Sequence, residues 1–245
     1  MLVLYANLVE EIFVLKKIYD GMWDSSYPKI DSGQCDIDTL ISDPSDTRRG
    51  ITALTYLQNN GNEVSQKITG FLCELQKVEP EQYYYPEEEL HLTILSIISC
   101  IAGFQLDDIN DSSYVEIFNQ CMQDVEPINI KFEGITISTS CVLIQGFPIG
   151  EGLNELRNKF RNRYKESSLR ITIDSRYTLN TAHVTAVRFM SPLINQQKVT
   201  DVLNRYRYYD FGTISFTEFE LVFNNWYQNL SETKKLSNSS IKQRA

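Results

Sequence analysis

The chain contains two histidines, and each is followed two positions later by threonine: His91-Leu92-Thr93 and His183-Val184-Thr185. Both triplets sit in stretches rich in β-formers, LHLTILSII at 90–98 and TLNTAHVTAVRF at 178–189, which read as strands. Side chains at i and i+2 of a strand point to the same face. Each histidine is therefore expected to share a face with its threonine, while Leu92 and Val184 turn the other way, toward a core. A lone H-x-T carries no weight, because threonine is common in strands and strand histidines are usually structural. The same pattern at both histidines, in matching contexts, calls for two comparable halves that each carry an imidazole beside a hydroxyl.

The rest of the chain supplies elements for such halves. Residues 4–19 read as an amphipathic helix, with Leu8, Ile12, Leu15 and Tyr19 at helical spacing. Residues 20–47 are rich in Asp, Ser, Gly and Pro, which predicts a connection. Residues 1–47 are thus expected to be an N-terminal helical extension and linker. From Arg48 the pattern predicts a strand at 50–58, a helix at 62–78 and the first histidine strand at 90–98. A helix at 113–125, a strand pair at 128–138 and 141–148, and a helix at 152–166 follow. The second histidine strand at 178–189, a short helix at 199–206 and a last strand at 213–223 complete a domain expected over 48–230. The polar stretch 231–245 has no periodicity and is expected to be a flexible tail. Strands and helices mix without βαβ alternation, which points to an α+β fold, and neither G-x-G-x-x-G nor G-x-x-x-x-G-K-[ST] occurs.

The net charge is −9. A protein that tracks a long nucleic-acid backbone usually has a basic surface, since phosphate neutralisation supplies most of its affinity. A small nucleotide or a short RNA suits this chain better than a long nucleic acid. The 5 cysteines are odd in number and form no C-x-x-C, so neither a disulfide framework nor a zinc site is supported. No metal or other cofactor is expected. Scattered thiols suit a reducing compartment, and Glu10 and Glu11 interrupt the N-terminal apolar run before it could form a signal peptide. The expected location is cytoplasmic, with no membrane span.

The segments HLTI and HVTA resemble the paired HxTx signatures of the 2H phosphoesterase superfamily. That superfamily includes the 2′-5′ RNA ligase (LigT-like) proteins and cyclic nucleotide phosphodiesterases. The resemblance covers roughly 48–224. It implies a bilobal α+β fold in which two antiparallel sheets flank a central cleft, with helices on the outside. It also implies that His91, Thr93, His183 and Thr185 are catalytic in a metal-independent phosphodiesterase for 2′,3′-cyclic or 2′,5′-linked nucleotides. One imidazole would act as base and the other as acid, while the threonine hydroxyls would stabilise the phosphoryl oxygens. Ala186 is smaller than the family's usual apolar residue, and residues 1–47 have no counterpart in the minimal domain. Two alternatives stay open: a catalytically idle nucleotide- or RNA-binding module of the same fold, and an interaction protein that docks through helix 4–19.

Other candidates are weaker. Tyr177 and Arg188 flank the second motif and could bind substrate by stacking and by phosphate pairing. Arg188 lies at an odd offset from His183, so a regular strand would aim it away. Tyr83, Tyr84 and Tyr85 are expected mainly to pack at the rim. Arg157, Arg161 and Lys165, at i, i+4 and i+8, read as a solvated helix face rather than a phosphate-steering stripe. Arg48 and Arg49 could reach a phosphate or form a turn-side salt bridge.

Overall fold

The β-branched segments of the chain assemble into two antiparallel sheets. The computed structural model describes residues 2–241, with side chains from residue 12 onward except that of Asn62. The first sheet holds β1 (Arg48–Tyr56), β3 (His91–Ala102), β8 (Glu218–Asn225) and β9 (Lys234–Ser240), ordered β3-β1-β8-β9. The second holds β2 (Tyr83–Tyr84), β4 (Ile128–Ile137), β5 (Cys141–Ile149), β6 (Val184–Arg188) and β7 (Asp210–Phe216), ordered β2-β6-β5-β4-β7. Helices α1 (Leu2–Asp31), α2 (Asn62–Val78), α3 (Asp111–Met122), α4 (Gly152–Glu166) and α5 (Gln196–Tyr206) pack against the sheets.

The helices bury the stripes that their spacing marks. In α2, Val64, Ile68, Phe71, Leu72 and Leu75 are all buried, each contributing about 1.5–3 kcal/mol relative to exposure. The helix stops at Val78, two residues before Pro80, whose ring is incompatible with a further turn. Phe118 of α3 stacks on Phe160 of α4 with ring centroids 5.7 Å apart. Both join a core that runs from Ile97 in the first sheet to Ile130 and Ile144 in the second.

Away from the histidine strands, three segments differ from their sequence reading. The last predicted strand, 213–223, is two strands in different sheets, β7 and β8. At Thr217 the chain crosses over, and the Asn60 side-chain oxygen accepts the amides of Thr217 (2.6 Å) and Glu218 (2.9 Å). The expected tail instead contains β9, which pairs with β8 from Lys234 to Ser240. An edge strand needs pairing on one side only, so polar residues serve it well. Finally, α1 does not end near residue 19 but continues through Gly21 to Asp31, with Pro28 in its last turns. Tyr19, Ser26 and Ile30 are buried on the body of the protein, and Trp23 stacks on Tyr27 at 5.0 Å. This tertiary packing outweighs the loop-like composition. The predicted side chain Leu8 lies outside the described side chains.

Candidate active site

β3 is an edge strand of the first sheet, β6 is next to the edge of the second, and the two approach each other between the sheets. On β3 the polar residues recur every third position: Thr93, Ser96 and Ser99, each partly exposed between buried residues. A regular strand would alternate in twos. Here the pairing of β3 with β1 slips at three places, between Arg49 and Ile51, Ile51 and Thr52, and Ala53 and Leu54. Each slip places extra residues on β3 and resets which face follows. The outcome is that His91, Thr93, Ser96 and Ser99 all line one cleft.

A bulge also corrects the expectation for Arg188. Val142 pairs with Val187, but Leu143 pairs with Thr185, so Ala186 is an extra residue in β6. The offset of Arg188 from Thr185 becomes effectively even, and both residues line the cleft with His183. The Arg188 Nε donates to the Tyr85 hydroxyl at 3.1 Å, and its guanidinium is 3.8 Å from Asp38.

The strand expected from residue 178 begins only at Val184, just after His183. Ladder pairing with β5 ends at Ile144 and Val184, and the backbones then close in on each other. A Cβ on Gly146 would lie 1.8 Å from the Ala182 carbonyl oxygen, so only glycine fits. Tyr19 of α1 replaces the missing ladder. Its hydroxyl donates to the Gly146 carbonyl (3.1 Å) and accepts from the Ala182 amide (3.2 Å). The Thr136 hydroxyl fixes Tyr19 in turn by donating to its carbonyl at 2.7 Å.

α4 braces the same region from beneath. Arg157, expected on a solvated face, is fully buried. Its guanidinium donates to the carbonyls of Ile94 (2.9 Å), Thr93 (3.0 Å) and Thr181 (2.8 Å). It thus ties the two histidine-bearing segments together and satisfies carbonyls that would otherwise be orphaned. Burial lowers its pKa to about 10, so it stays charged at neutral pH. Arg161 pairs with Asp174 at 2.9 Å and donates to the Leu179 carbonyl at 3.1 Å, and Lys165 lies 3.8 Å from Asp174. The face called solvated is a brace for the loop leading to His183.

Each imidazole is held by its Nδ1. The Nδ1 of His91 lies 2.7 Å from the Glu89 carbonyl, and that of His183 lies 2.7 Å from the Thr181 hydroxyl. A carbonyl only accepts, so the His91 Nδ1 carries a proton and its neutral ring leaves Nε2 unprotonated. The Thr181 hydroxyl can donate or accept and leaves His183 either tautomer. Among the described residues, neither Nε2 and neither hydroxyl of Thr93 and Thr185 has a protein hydrogen-bond partner. Burial lowers the His91 pKa to about 4, and the Arg188 charge adds to the shift. Burial likewise lowers His183 to about 4, followed by the charges of Arg157, His91 and Arg188. Without a ligand, both rings are neutral at pH 7.

Tyr177 is 68% exposed and lines the same cleft, together with Tyr85, Arg176 and Trp226. Tyr83 and Tyr84 pack through their hydroxyls on Glu89 (3.0 Å) and on the Glu79 carbonyl (2.7 Å). Arg48 pairs with Asp46 at 2.7 Å and Arg49 pairs with Glu232, so neither is a free phosphate ligand. Sequence reasoning missed Arg157 as a site brace and Arg176 and Trp226 as lining residues. Trp226 follows β8 outside any motif, and no signal marked it. Among the described residues, no three His, Cys, Asp or Glu side chains gather as a metal-binding group, and no helix is long and apolar enough to cross a membrane.

No family model matches the chain, and no curated protein matches it. Solved structures do match. One is TT0787 of Thermus thermophilus, at 16% identity and TM-score 0.53, covering 78% of this chain and 97% of that one. A second, described as a phosphoesterase, shares 14% identity at TM-score 0.51 and covers 80% of this chain and 99% of its own. A third is the conserved protein of unknown function ATU0111 from Agrobacterium tumefaciens, at 12% identity and TM-score 0.52, covering 86% and 98%. What is shared at these identities is the fold. The chain shares their α+β fold, with two antiparallel sheets about a central cleft.

Proposed function

We propose that this protein is a metal-independent phosphodiesterase acting on 2′,3′-cyclic or 2′,5′-linked nucleotides or short RNA, with His91 and His183 as its proton carriers. One observation carries the reading. Two imidazoles with unengaged Nε2 atoms and two unengaged threonine hydroxyls, carried by β3 and by β6 with the residue that enters it, line a single cleft. The phosphoesterase-type fold supports the same chemistry class.

In hydrolysis of a cyclic phosphate, water attacks phosphorus in line with the leaving ribose oxygen. The attacking water loses a proton, the P–O bond to the ribose breaks, and the ribose oxygen takes up a proton. His91 suits the first task, because Glu89 keeps its Nε2 free to accept. His183 suits the second and must first be protonated. An anionic phosphate in the cleft favours its imidazolium and offsets the burial that keeps the empty site neutral. Thr93 and Thr185 donate to the non-bridging oxygens as charge grows on them. Arg188, anchored on Tyr85 and Asp38, adds positive charge to the wall. Cytoplasmic residence fits this small-nucleotide reading.

The test is a panel of 2′,3′-cyclic nucleotides and 2′,5′-linked dinucleotides assayed with EDTA present, reading the regiochemistry of the product. The expected result is turnover to a single monoester isomer, insensitive to chelation. No turnover across the panel, or turnover abolished by EDTA, would contradict the proposal.

A further inference from the structure

The loop that follows β8 reaches the first histidine motif. The Leu230 amide donates to the Glu89 carboxylate at 2.8 Å, and the Glu89 carbonyl holds the Nδ1 of His91. On the other side of the loop, the Tyr227 ring faces the Arg188 guanidinium at 5.3 Å, and its hydroxyl donates to Asp38 at 2.7 Å. Asn225 fixes the span between them. Its side-chain oxygen accepts from the amides of Tyr227 (3.1 Å) and Asn229 (3.2 Å), and its side-chain nitrogen donates to the Asn229 side chain at 2.8 Å. Gln228 is thereby held between a residue engaged with Arg188 and residues engaged with Glu89.

Gln228 lines the cleft and is only 7% exposed. Its backbone is left-handed, with φ +62°. Asp124 and Asp174 share that conformation, but aspartate enters it more readily than glutamine does. The side chain is also unspent. Among the described residues, four buried polar atoms have no hydrogen-bond partner: the Tyr56 hydroxyl, Glu79 Oε2, Asn224 Oδ1 and Gln228 Oε1. Glu79 and Asn224 are held through their other polar atom, and Tyr56 does not line the cleft. The Gln228 carboxamide lines it and makes no hydrogen bond at either end. A left-handed backbone and an unsatisfied buried amide both cost stability, and such costs gather where a ligand is bound.

The chemistry of the carboxamide selects the partner. It offers a donor beside an acceptor. Phosphoryl oxygens only accept, and they already have Thr93, Thr185 and Arg188. A nucleobase edge also carries a donor beside an acceptor and uses both ends of the amide at once. With no bond to break, the side chain turns toward such an edge at little cost. Resting on the phosphodiesterase reading above, we infer that Gln228 recognises the base of the nucleotide whose phosphodiester reaches the histidines, by pairing with its hydrogen-bonding edge. The amide can turn to match either order of donor and acceptor, so it demands a base without fixing which one.

The experiment compares the full chain with Gln228→Met, which keeps the length of the side chain and removes both polar ends. The substrates are adenosine and uridine 2′,3′-cyclic phosphates and methyl riboside 2′,3′-cyclic phosphate, which has no base. Gln228→Met should lower kcat/KM on the nucleotides by about tenfold, the worth of two neutral hydrogen bonds, and chiefly through KM. Its rate on the base-free substrate should equal that of the unaltered protein. Its urea midpoint should be unchanged or higher, because the free protein loses an unpartnered amide and no bond. A loss shared equally by the base-free substrate, no loss on any substrate, or a lowered midpoint would overturn the role of Gln228. Turnover of none of the substrates by the unaltered protein would instead sink the phosphodiesterase reading, and the base contact with it.

Discussion

The Tyr19 hydroxyl accepts a hydrogen bond at 3.2 Å from the amide of Ala182, the residue that precedes His183. A helix far away in the chain thereby holds the backbone of a candidate catalytic residue. Tyr19→Phe removes this acceptor and leaves a buried amide without a partner, which costs about 1–3 kcal/mol. Displacing His183 by even a fraction of an ångström should also lower kcat by roughly 10–100-fold, more than it changes KM. Urea melts and steady-state kinetics on Tyr19→Phe check both. Unchanged kcat with lowered stability would make Tyr19 a purely structural residue.

Arg157 joins the two histidine-bearing segments through Thr93 and Thr181, and its charge helps keep the His183 pKa low. Arg157→Met should therefore raise the His183 pKa, seen as an upward shift in its NMR titration midpoint. It should also destabilise the fold by about 3–5 kcal/mol, since three carbonyls lose their donor. Arg157→Lys keeps the charge but not the fork of donors. It should leave the midpoint low while still losing stability.

With both free imidazoles pushed down to about 4 by burial, the pair carries no proton at neutral pH. Catalysis requires one proton on the pair, and kcat/KM reports the free enzyme. The sign follows directly: kcat/KM should rise as pH falls from 8 to about 5, by about tenfold per unit. A profile of kcat/KM against pH that is flat or rises toward alkali would show that the rings are not held neutral.

The same shift links to stability. His91 is buried, with a pKa of about 4 in the fold against an ordinary 6.5. Between those values the unfolded chain binds the proton and the folded protein does not, so stability falls as pH drops from 6.5 to 4 and levels off below. His91→Gln should remove roughly 3 kcal/mol of the stability difference between pH 7 and pH 4. Denaturant midpoints for both proteins at the two pH values measure it.

The sequence already marked the two motifs and the mixed α+β architecture, because these rest on local period and residue type. What it concealed depends on partners. Arg188 was expected to point away until the β6 bulge at Ala186 shifted its face, and a bulge is set by register with a neighbouring strand. Arg157 followed a solvated pattern along its helix, yet three carbonyls of distant segments draw it inward. The start of β6 was misplaced because Gly146 and Tyr19, far apart in the chain, crowd out the ladder at Ala182. β9 has no apolar stripe to betray it, since its edge position asks for none.

The most direct test of the paired-imidazole account is turnover by His91→Ala, His183→Ala and the double variant on a cyclic phosphate that the unaltered protein cleaves, with folding verified for each. Each single change should lower kcat by roughly 10²–10⁴-fold. The double change should cost little more than the worse single one, because the two rings act as a unit. A folded His91→Ala or His183→Ala protein that turns over substrate at the full rate would contradict the account.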